Sequence, residues 1–454
     1  MRVVVTGATG FVGRAVVREL LGAGHSVTAL SRDAERAARE LPARCRTLVW
    51  DAESAVDPHV LRGAHAVVHL AGAGVFDARW TAARKRTLRD SRIRTATALV
   101  NAIGQLPPAD RPGVLVSASA IGWYGDRGDS VLDEDSAPGN GFLADLCRDW
   151  ETAVFAVREH GARAVAVRIG VVLGRDGGAL RPLLPLFRLG LGGRIGSGRQ
   201  WFSWIHLRDL VGLLRFAIEN SDVSGVMNGV APEPVTNATF AWELGRAVHR
   251  PALVPVPALL LRMALGEMSA VLLDSQRVLP RRAERLGFTF RHSTLRDALD
   301  ELCADPDHEI SVEQRLTRPR EEVFSFFSDP WNLEKITPDF LRFRILGMTT
   351  REVTEGTLID YALRLHGIPL RWQSRIESWV PNRQFVDVQT RGPYASWHHT
   401  HEFESDDGGT IIRDRVRYRL PLGALGELAA AWLVNRDLKA VFDFRRRRIE
   451  ELMG

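Results

Sequence analysis

The 454-residue chain is long enough for two or three domains at roughly 150 residues each. With 45% hydrophobic and 25% charged residues it has the composition of a folded chain, which excludes a disordered or fibrous one. Sixty basic against 55 acidic residues leave a net charge of +5, too small an excess to imply a nucleic-acid partner.

From residue 2 to about 171, short β-branched runs alternate with helical stretches. Strands are predicted at 2–6, 26–31, 45–50, 65–70, 113–119 and 162–170, and helices at 11–24, 80–104 and 141–160. Strict alternation means right-handed βαβ crossovers and a buried parallel sheet, an α/β doubly wound domain. After Gly174 the pattern loosens into a Gly- and Pro-rich section ending in a helix at 293–303. Such a section usually supplies the lobe that covers the crevice at the strand C-termini.

Residues 304–308 are polar and Pro-bearing and read as a linker, with the boundary near Asp305. Beyond the linker come a strand at 309–316 and a helix from about 320. Strands are then predicted at 345–353, 358–365, 371–380, 385–391, 397–404 and 410–420, with a long helix at 425–452. Strands gathered between helices predict an α+β domain.

Three features bear on compartment. Cys45, Cys147 and Cys303 are odd in number and far apart, giving neither a disulfide framework nor metal-ligand spacing. The N-terminus runs from Met1 straight into a strand, leaving no room for a secretory signal. The apolar stretch 251–273 is broken by three prolines, Arg262 and Glu267. The expectation is a cytoplasmic protein without a membrane span.

Gly7-Ala8-Thr9-Gly10-Phe11-Val12-Gly13 follows the first strand and opens the first helix. In that context Gly7 permits the tight turn, Gly10 lets backbone N–H groups approach a pyrophosphate, and Gly13 allows close helix–strand packing. This predicts a dinucleotide. At the end of the second strand an acid would bind the 2′-OH of NAD, whereas an Arg pairs with the 2′-phosphate of NADP. Arg32 stands there, followed by Asp33, so NADP(H) is preferred over NAD(H), with Asp33 an alternative helix cap. Asp51, after the third strand, either accepts from the adenine amino group or forms a turn.

Together with His69-Leu-Ala-Gly72, Ser117-Ala-Ser119, Trp123-Tyr-Gly125 and Trp204-Ile-His206, this loop resembles the short-chain dehydrogenase/reductase superfamily in its extended, epimerase-like branch. The stretches 88–92, 189–193 and 196–206 narrow the likeness to an atypical subgroup of NAD(P)-dependent sugar-nucleotide epimerases or oxidoreductases, over about residues 1–303 with a small tail domain from Arg250. The resemblance implies that Gly7, Gly10 and Gly13 hold the pyrophosphate and that Arg32 holds the 2′-phosphate. It also places Asp51 at the adenine, Ala71-Gly72 on the adenosine ribose side and Ser119 near the nicotinamide.

Typical members use a Tyr-x-x-x-Lys pair, because a phenol of pKa about 10 works near neutrality only beside an ammonium. That pair is absent. Lys occurs only at Lys85, Lys335 and Lys439, and the expected positions fall at about Leu143 and Cys147. Three readings stay open: hydride transfer with a substitute acid, a non-catalytic NADP(H) sensor, and a structural domain with a vacant loop. Ser119, Tyr124, Cys147 and His206 are the candidate acids, with Ser119 and Tyr124 put forward as catalytic; Tyr124 equally suits a pocket wall, while Cys147 is expected as a buried packing residue and His206 as a structural hydrogen-bonding residue. For a small-molecule substrate the candidates are Trp80, Arg92, Gln200 and Trp201. The aromatics equally suit packing, and Arg92 equally suits bridging to a carbonyl.

Residues 308–453 resemble the SRPBCC superfamily, a START-like helix-grip fold, on 309–312, 319–330, 331–338 and the terminal helix. The resemblance implies a cavity for a hydrophobic ligand. His398, His399 and His401 raise a metal, but no carboxylate or Cys at that spacing joins them, so aromatic lining is expected and no metal. The run 445–448 is expected to be a solvated face.

Overall fold

The computed structural model describes residues 1–454 except 43, 176, 305–307, 407 and 422; the side chains of 423–425 and 427–429 are also outside the described residues. The chain divides into two compact units, Met1–Ala304 and Asp305–Gly454. Of the expected linker, 305–307 lie outside the described residues.

In the first unit, β1 (Arg2–Thr6), β2 (Ser26–Ser31), β3 (Arg46–Val49), β4 (Ala66–His69), β5 (Val114–Ala120), β6 (Arg163–Ile169) and β7 (Gly225–Gly229) form one sheet. Their order is β7-β6-β5-β4-β1-β2-β3, and every neighbouring pair is parallel. This is a Rossmann-like sheet. Val3 and Val5 pack with Val16 and Leu20 of the helix Phe11–Gly22 and with Leu210 and Leu214 of the helix Leu207–Glu219. Val4 turns the other way, onto Leu99 and Ile103 of Ala82–Gln105 and Val154 of Phe142–Phe155. Burial on both faces is why these strands are apolar at consecutive positions.

The strand β7 escapes the sequence reading. Gly225-Val-Met-Asn-Gly229 has a glycine at each end and a single β-branched residue, so propensity alone does not mark it. The chain order reverses beside β1, and the loop after β1 therefore opens at the topological switch point, where α/β sheets form their crevice. The apolar stretch after residue 251 forms only short helices, Ala258–Leu265 and Ala270–Leu273, joined by a 3₁₀ turn. No helix among the described residues is long and apolar enough to cross a membrane.

The second unit is a single antiparallel sheet with a long terminal helix. β8 (His308–Leu316), β9 (Arg344–Met348), β10 (Leu358–Leu365), β11 (Ile368–Val380), β12 (Gln384–Arg391), β13 (Ser396–Asp406) and β14 (Gly409–Arg419) are ordered β8-β14-β13-β12-β11-β10-β9. Alternation marks one face for burial. On that face Phe385, Phe403 and Ile412 meet Val323 and Phe324 of the helix Arg320–Ser328 and Ile449 of the helix Gly423–Met453. Val416 and Tyr418 meet Leu438 and Phe442 of the same terminal helix.

Candidate functional site

The glycine-rich turn is built by close approach. Gly7 has φ +69°, and a Cβ there would stand 2.6 Å from the Leu70 carbonyl carbon. A Cβ at Gly13 would stand 2.1 Å from the Gly7 oxygen, so neither position accepts a side chain without moving backbone. The helix Phe11–Gly22 starts at Gly10 with no side-chain cap. Its first-turn N–H groups therefore remain available to an anion at the positive end of the helix dipole. The loop's side chains do other work: Ala8 is buried, Val12 packs on the sheet core, and the Phe11 ring fills the space beside Gly174 and Gly177. The Thr9 carbonyl accepts from Arg14 Nη1 at 2.8 Å.

Arg32 is exposed directly after β2, with no ion-pair partner among the described residues. Asp33 caps the next helix, accepting from the Arg36 N–H at 2.9 Å. Arg36 itself reaches toward the Thr9 carbonyl at 3.5 Å, which places a second guanidinium over the loop. Sequence reading passed over Arg36 because helix-face arginines are common. Asp51 takes the turn-forming alternative: its Oδ1 accepts from the Glu53 and Ser54 N–H groups at 2.9 and 2.8 Å, and these bonds hold its carboxyl below the usual range. The Ala71 backbone lies against Gly7, and Gly72 lies against the Arg92 side chain.

The four candidate acids each meet partners within the protein. Ser119 Oγ donates to Glu151 Oε1 at 2.6 Å, and Arg168 grips both oxygens of Glu151 at 2.8 and 2.9 Å. Arg168 also donates to the Tyr124 hydroxyl at 3.1 Å, which lies 2.7 Å from Asn228 Oδ1 and 2.8 Å from the Asp133 carbonyl. Burial pushes the Tyr124 phenol up to about 12. Ser119 and Tyr124 are thus members of a buried, hydrogen-bonded network. Cys147 Sγ points at the Ala120 carbonyl, and burial pushes its thiol up to about 12. His206 caps the helix Leu207–Glu219 through Nδ1 and stacks on His292. Burial and His292 hold it near 4, so it is neutral at physiological pH.

Arg92 takes the carbonyl-bridging alternative. Its guanidinium donates to the Leu88 and Ala73 carbonyls, both at 3.0 Å. Gln200 donates to the Ile195 and Leu272 carbonyls, and Trp201 donates to Asp129 with Arg277 over its ring. These two fasten the lobe. Trp80 differs: its ring packs edge-on against Phe142, and both line a cavity of about 420 Å³.

That cavity is walled by Leu143, at the position where the resemblance expects Tyr, and by Asn140, Glu267, Asp274 and Gln276. Lys85 pairs with Glu267 at its edge. Burial and the neighbouring Asp126 raise the Asp274 carboxyl above its ordinary range. No sequence signal pointed to Asp274, since its place in the wall depends on how the tail segment folds back.

The second unit encloses a separate cavity of about 220 Å³, walled by aromatics including Trp372, Tyr394 and Trp397. Asp387, His399, His401 and Arg445 also line it. Two expectations are corrected at this cavity. Carboxylates do join the histidines, because register sets Asp387 opposite His399 and Asp414 opposite His401 on neighbouring strands. In the basic run, Arg445 turns toward the cavity while 446–448 are exposed.

Residues 3–228 match the model of the NAD dependent epimerase/dehydratase family, and residues 256–302 match a domain of unknown function, DUF1731. The chain is 43% identical over 300 residues to the chloroplastic "Epimerase family protein SDR39U1 homolog" of Arabidopsis thaliana, covering 66% of this chain and 86% of that one. A crystal structure of human SDR39U1 (isoform 2) with NADPH is 38% identical with a TM-score of 0.60, over 67% of this chain and 99% of that chain. The nucleoside-diphosphate sugar epimerase from Corynebacterium glutamicum is 33% identical with a TM-score of 0.54, over 67% of this chain and 58% of that chain. Over its N-terminal two-thirds, therefore, the chain belongs to the NAD dependent epimerase/dehydratase family, among the SDR39U1-type epimerase family proteins.

Proposed function

We propose that the Met1–Ala304 unit binds NADP(H) and uses it for an oxidoreduction or epimerisation of a small molecule seated in the 420 Å³ cavity. The observation that carries this reading is the side-chain-free turn at Gly7–Gly13, opening at the switch point beside an exposed Arg32. The human relative crystallised with NADPH supports it. In this reading the first-turn N–H groups and the three glycines hold the pyrophosphate, and Arg32 and Arg36 hold the 2′-phosphate. Ala71-Gly72 pass beside the ribose. The cofactor supplies a hydride donor or acceptor. Trp80, Phe142 and Leu143 exclude water and hold an apolar face of the substrate. Asp274, whose carboxyl burial and the neighbouring Asp126 raise above its ordinary range, is the wall residue placed to exchange a proton with the substrate. Ser119, Glu151, Arg168 and Tyr124 keep the floor rigid.

One observation favours a second reading, an NADP(H)-binding sensor: the hydroxyls of Ser119 and Tyr124 are committed to the buried network, and no Tyr-x-x-x-Lys pair replaces them. The Asp305–Gly454 unit fits an SRPBCC-type binder of an apolar ligand, on the support of its aromatic cavity under a long terminal helix.

The test is a titration with NADPH and NADH, followed by incubation with carbonyl compounds and nucleotide sugars read by cofactor absorbance and product mass. Preference for NADPH is expected. Arg32→Ala should weaken NADPH about ten- to hundredfold, the worth of a charge-assisted bond, and leave NADH unchanged. Asp274→Asn should abolish turnover while keeping NADPH affinity. Equal affinities in the parent overturn the cofactor reading, and absence of turnover across the panel supports the sensor.

A further inference from the structure

The buried histidines of the second unit stand in an arrangement that packing alone does not explain. His399 and His401 lie two apart on β13 and so face the same side of the sheet. Their rings lie 3.8 Å apart, centroid to centroid. Asp387, on the adjacent strand β12, places its Oδ1 3.6 Å from His399 Nδ1 and 3.4 Å from His401 Nε2. Those separations are long for hydrogen bonds. They are close to the roughly 3.3 Å that separates two ligand atoms on a tetrahedral ion with bonds of about 2.0–2.1 Å.

Asp414 stands on the other side of both rings, with its Oδ1 3.4 Å from His399 Nε2 and 2.6 Å from His401 Nδ1. These three atoms are buried, and none has a hydrogen bond of acceptable geometry. All three lie on the Asp414 side of the rings, so the ring nitrogens that face Asp387, His399 Nδ1 and His401 Nε2, are the ones left for an ion. Asp414 is also where a carboxylate behind a metal-bound imidazole stands, fixing the ring so that its other nitrogen faces the ion.

The other candidate cluster, His206, Asp209 and His292 in the first unit, is used more fully in structure, although His206 Nε2 is buried there without a hydrogen bond. His206 Nδ1 accepts the Arg208 N–H, His292 Nε2 faces Glu301 at 2.8 Å, and Asp209 accepts from the Arg291 and His292 N–H groups. Apart from His206 Nε2, its ring nitrogens and carboxylate oxygens meet partners within the protein, and none of the three residues lines either cavity.

We propose that Asp387, His399 and His401 bind one divalent first-row transition ion at the wall of the second unit's cavity, with Asp414 orienting the two imidazoles. Two imidazoles and one carboxylate suit Zn²⁺ or a metal of similar softness, not Mg²⁺ or Ca²⁺, which take oxygen ligands. Three protein ligands leave a coordination position open. All three line the cavity, so that position faces the aromatic chamber and is available to an oxygen or nitrogen of whatever occupies it.

The test uses the full chain without a histidine tag, stripped with a chelator and titrated with Zn²⁺ by calorimetry. One equivalent should bind with a Kd of about 1 μM or tighter. Co²⁺ in its place should give visible d–d absorption of a low-symmetry site. His401→Gln and Asp387→Asn should each weaken Zn²⁺ at least about 100-fold, beyond the loss typical of an outer partner. His398→Gln, on the outward face of the same strand, should leave binding unchanged. If the cavity variants do not fold, the parent still decides: its melting temperature must rise with Zn²⁺ and its Co²⁺ spectrum must appear. No stoichiometric binding to the parent, or binding that survives the double variant His401→Gln/Asp387→Asn, overturns the proposal.

Discussion

Each unit buries a cluster of opposite charges, and the two clusters are finished differently. In the first unit the Ser119, Glu151, Arg168 and Tyr124 side chains all meet partners, and the Arg168–Glu151 pair is bidentate. In the second, Asp387, Asp414, His399 and His401 crowd together with three buried atoms lacking a hydrogen bond and with a cavity at their side. A closed network has no bond to offer a ligand and acts as structure. An open one beside a cavity has bonds to offer, which is why the two clusters receive opposite readings although their residue types overlap.

The sharpest way to break this contrast is to remove one partner from the closed network. Arg168→Met leaves Glu151 buried without compensation, and denaturant titration should show the first unit losing about 3–5 kcal/mol. The double variant Arg168→Met/Glu151→Leu should recover most of that loss, since apolar replacement of a whole pair is often near neutral. A single-variant loss under about 1 kcal/mol would mean that the network does not hold the floor of the crevice together.

Acid pH probes the neutral buried histidines of the same unit. His69 is wholly buried between the Thr6 and Thr95 hydroxyls, and burial lowers its pKa to about 4. The folded value lies below the unfolded one near 6.5, so the stability linked to this group is complete above about pH 6.5 and is lost as the pH falls from there through about 4. The loss is on the order of 3 kcal/mol for this one group. Unfolding measured across that window should fall for the parent and fall less steeply for His69→Asn; equal slopes would show that His69 is not held neutral.

The smallest expected effect concerns the second cavity. A lipophilic fluorescent probe should bind the full chain, and Leu370→Trp, which places bulk at the cavity lining, should weaken it about tenfold, or ~1.4 kcal/mol. Unchanged probe affinity would place the probe outside the cavity and remove the ligand-binding reading of this unit.

Much of the fold was legible because its signals are local. Alternating β-branched and helical runs marked six of the seven parallel strands, the change of pattern near residue 305 marked the boundary between the two units, and the glycine spacing marked the turn after β1. β7 was missed because its residues carry no propensity of their own and are held by pairing with β6. The candidate sites were legible only in part. Arg32 and Trp80 could be named as candidates from the sequence, whereas the partners that Ser119, Tyr124, Arg92 and Gln200 reach come from distant segments. Glu151 and Arg168 are 17 residues apart, on a helix and a strand, and nothing in either segment announces the other.

The sequence by itself determined the two sheet types, the long terminal helix and the anion-accepting turn, since each follows from residue period, propensity and glycine geometry within one short segment. Only the tertiary structure decided that Asp387 and Asp414 flank the histidines, that Arg445 alone of its run turns inward, and that Asp274 joins the cavity wall. These depend on strand register and on how distant segments fold back, and spacing along a single strand or helix carries no information about either.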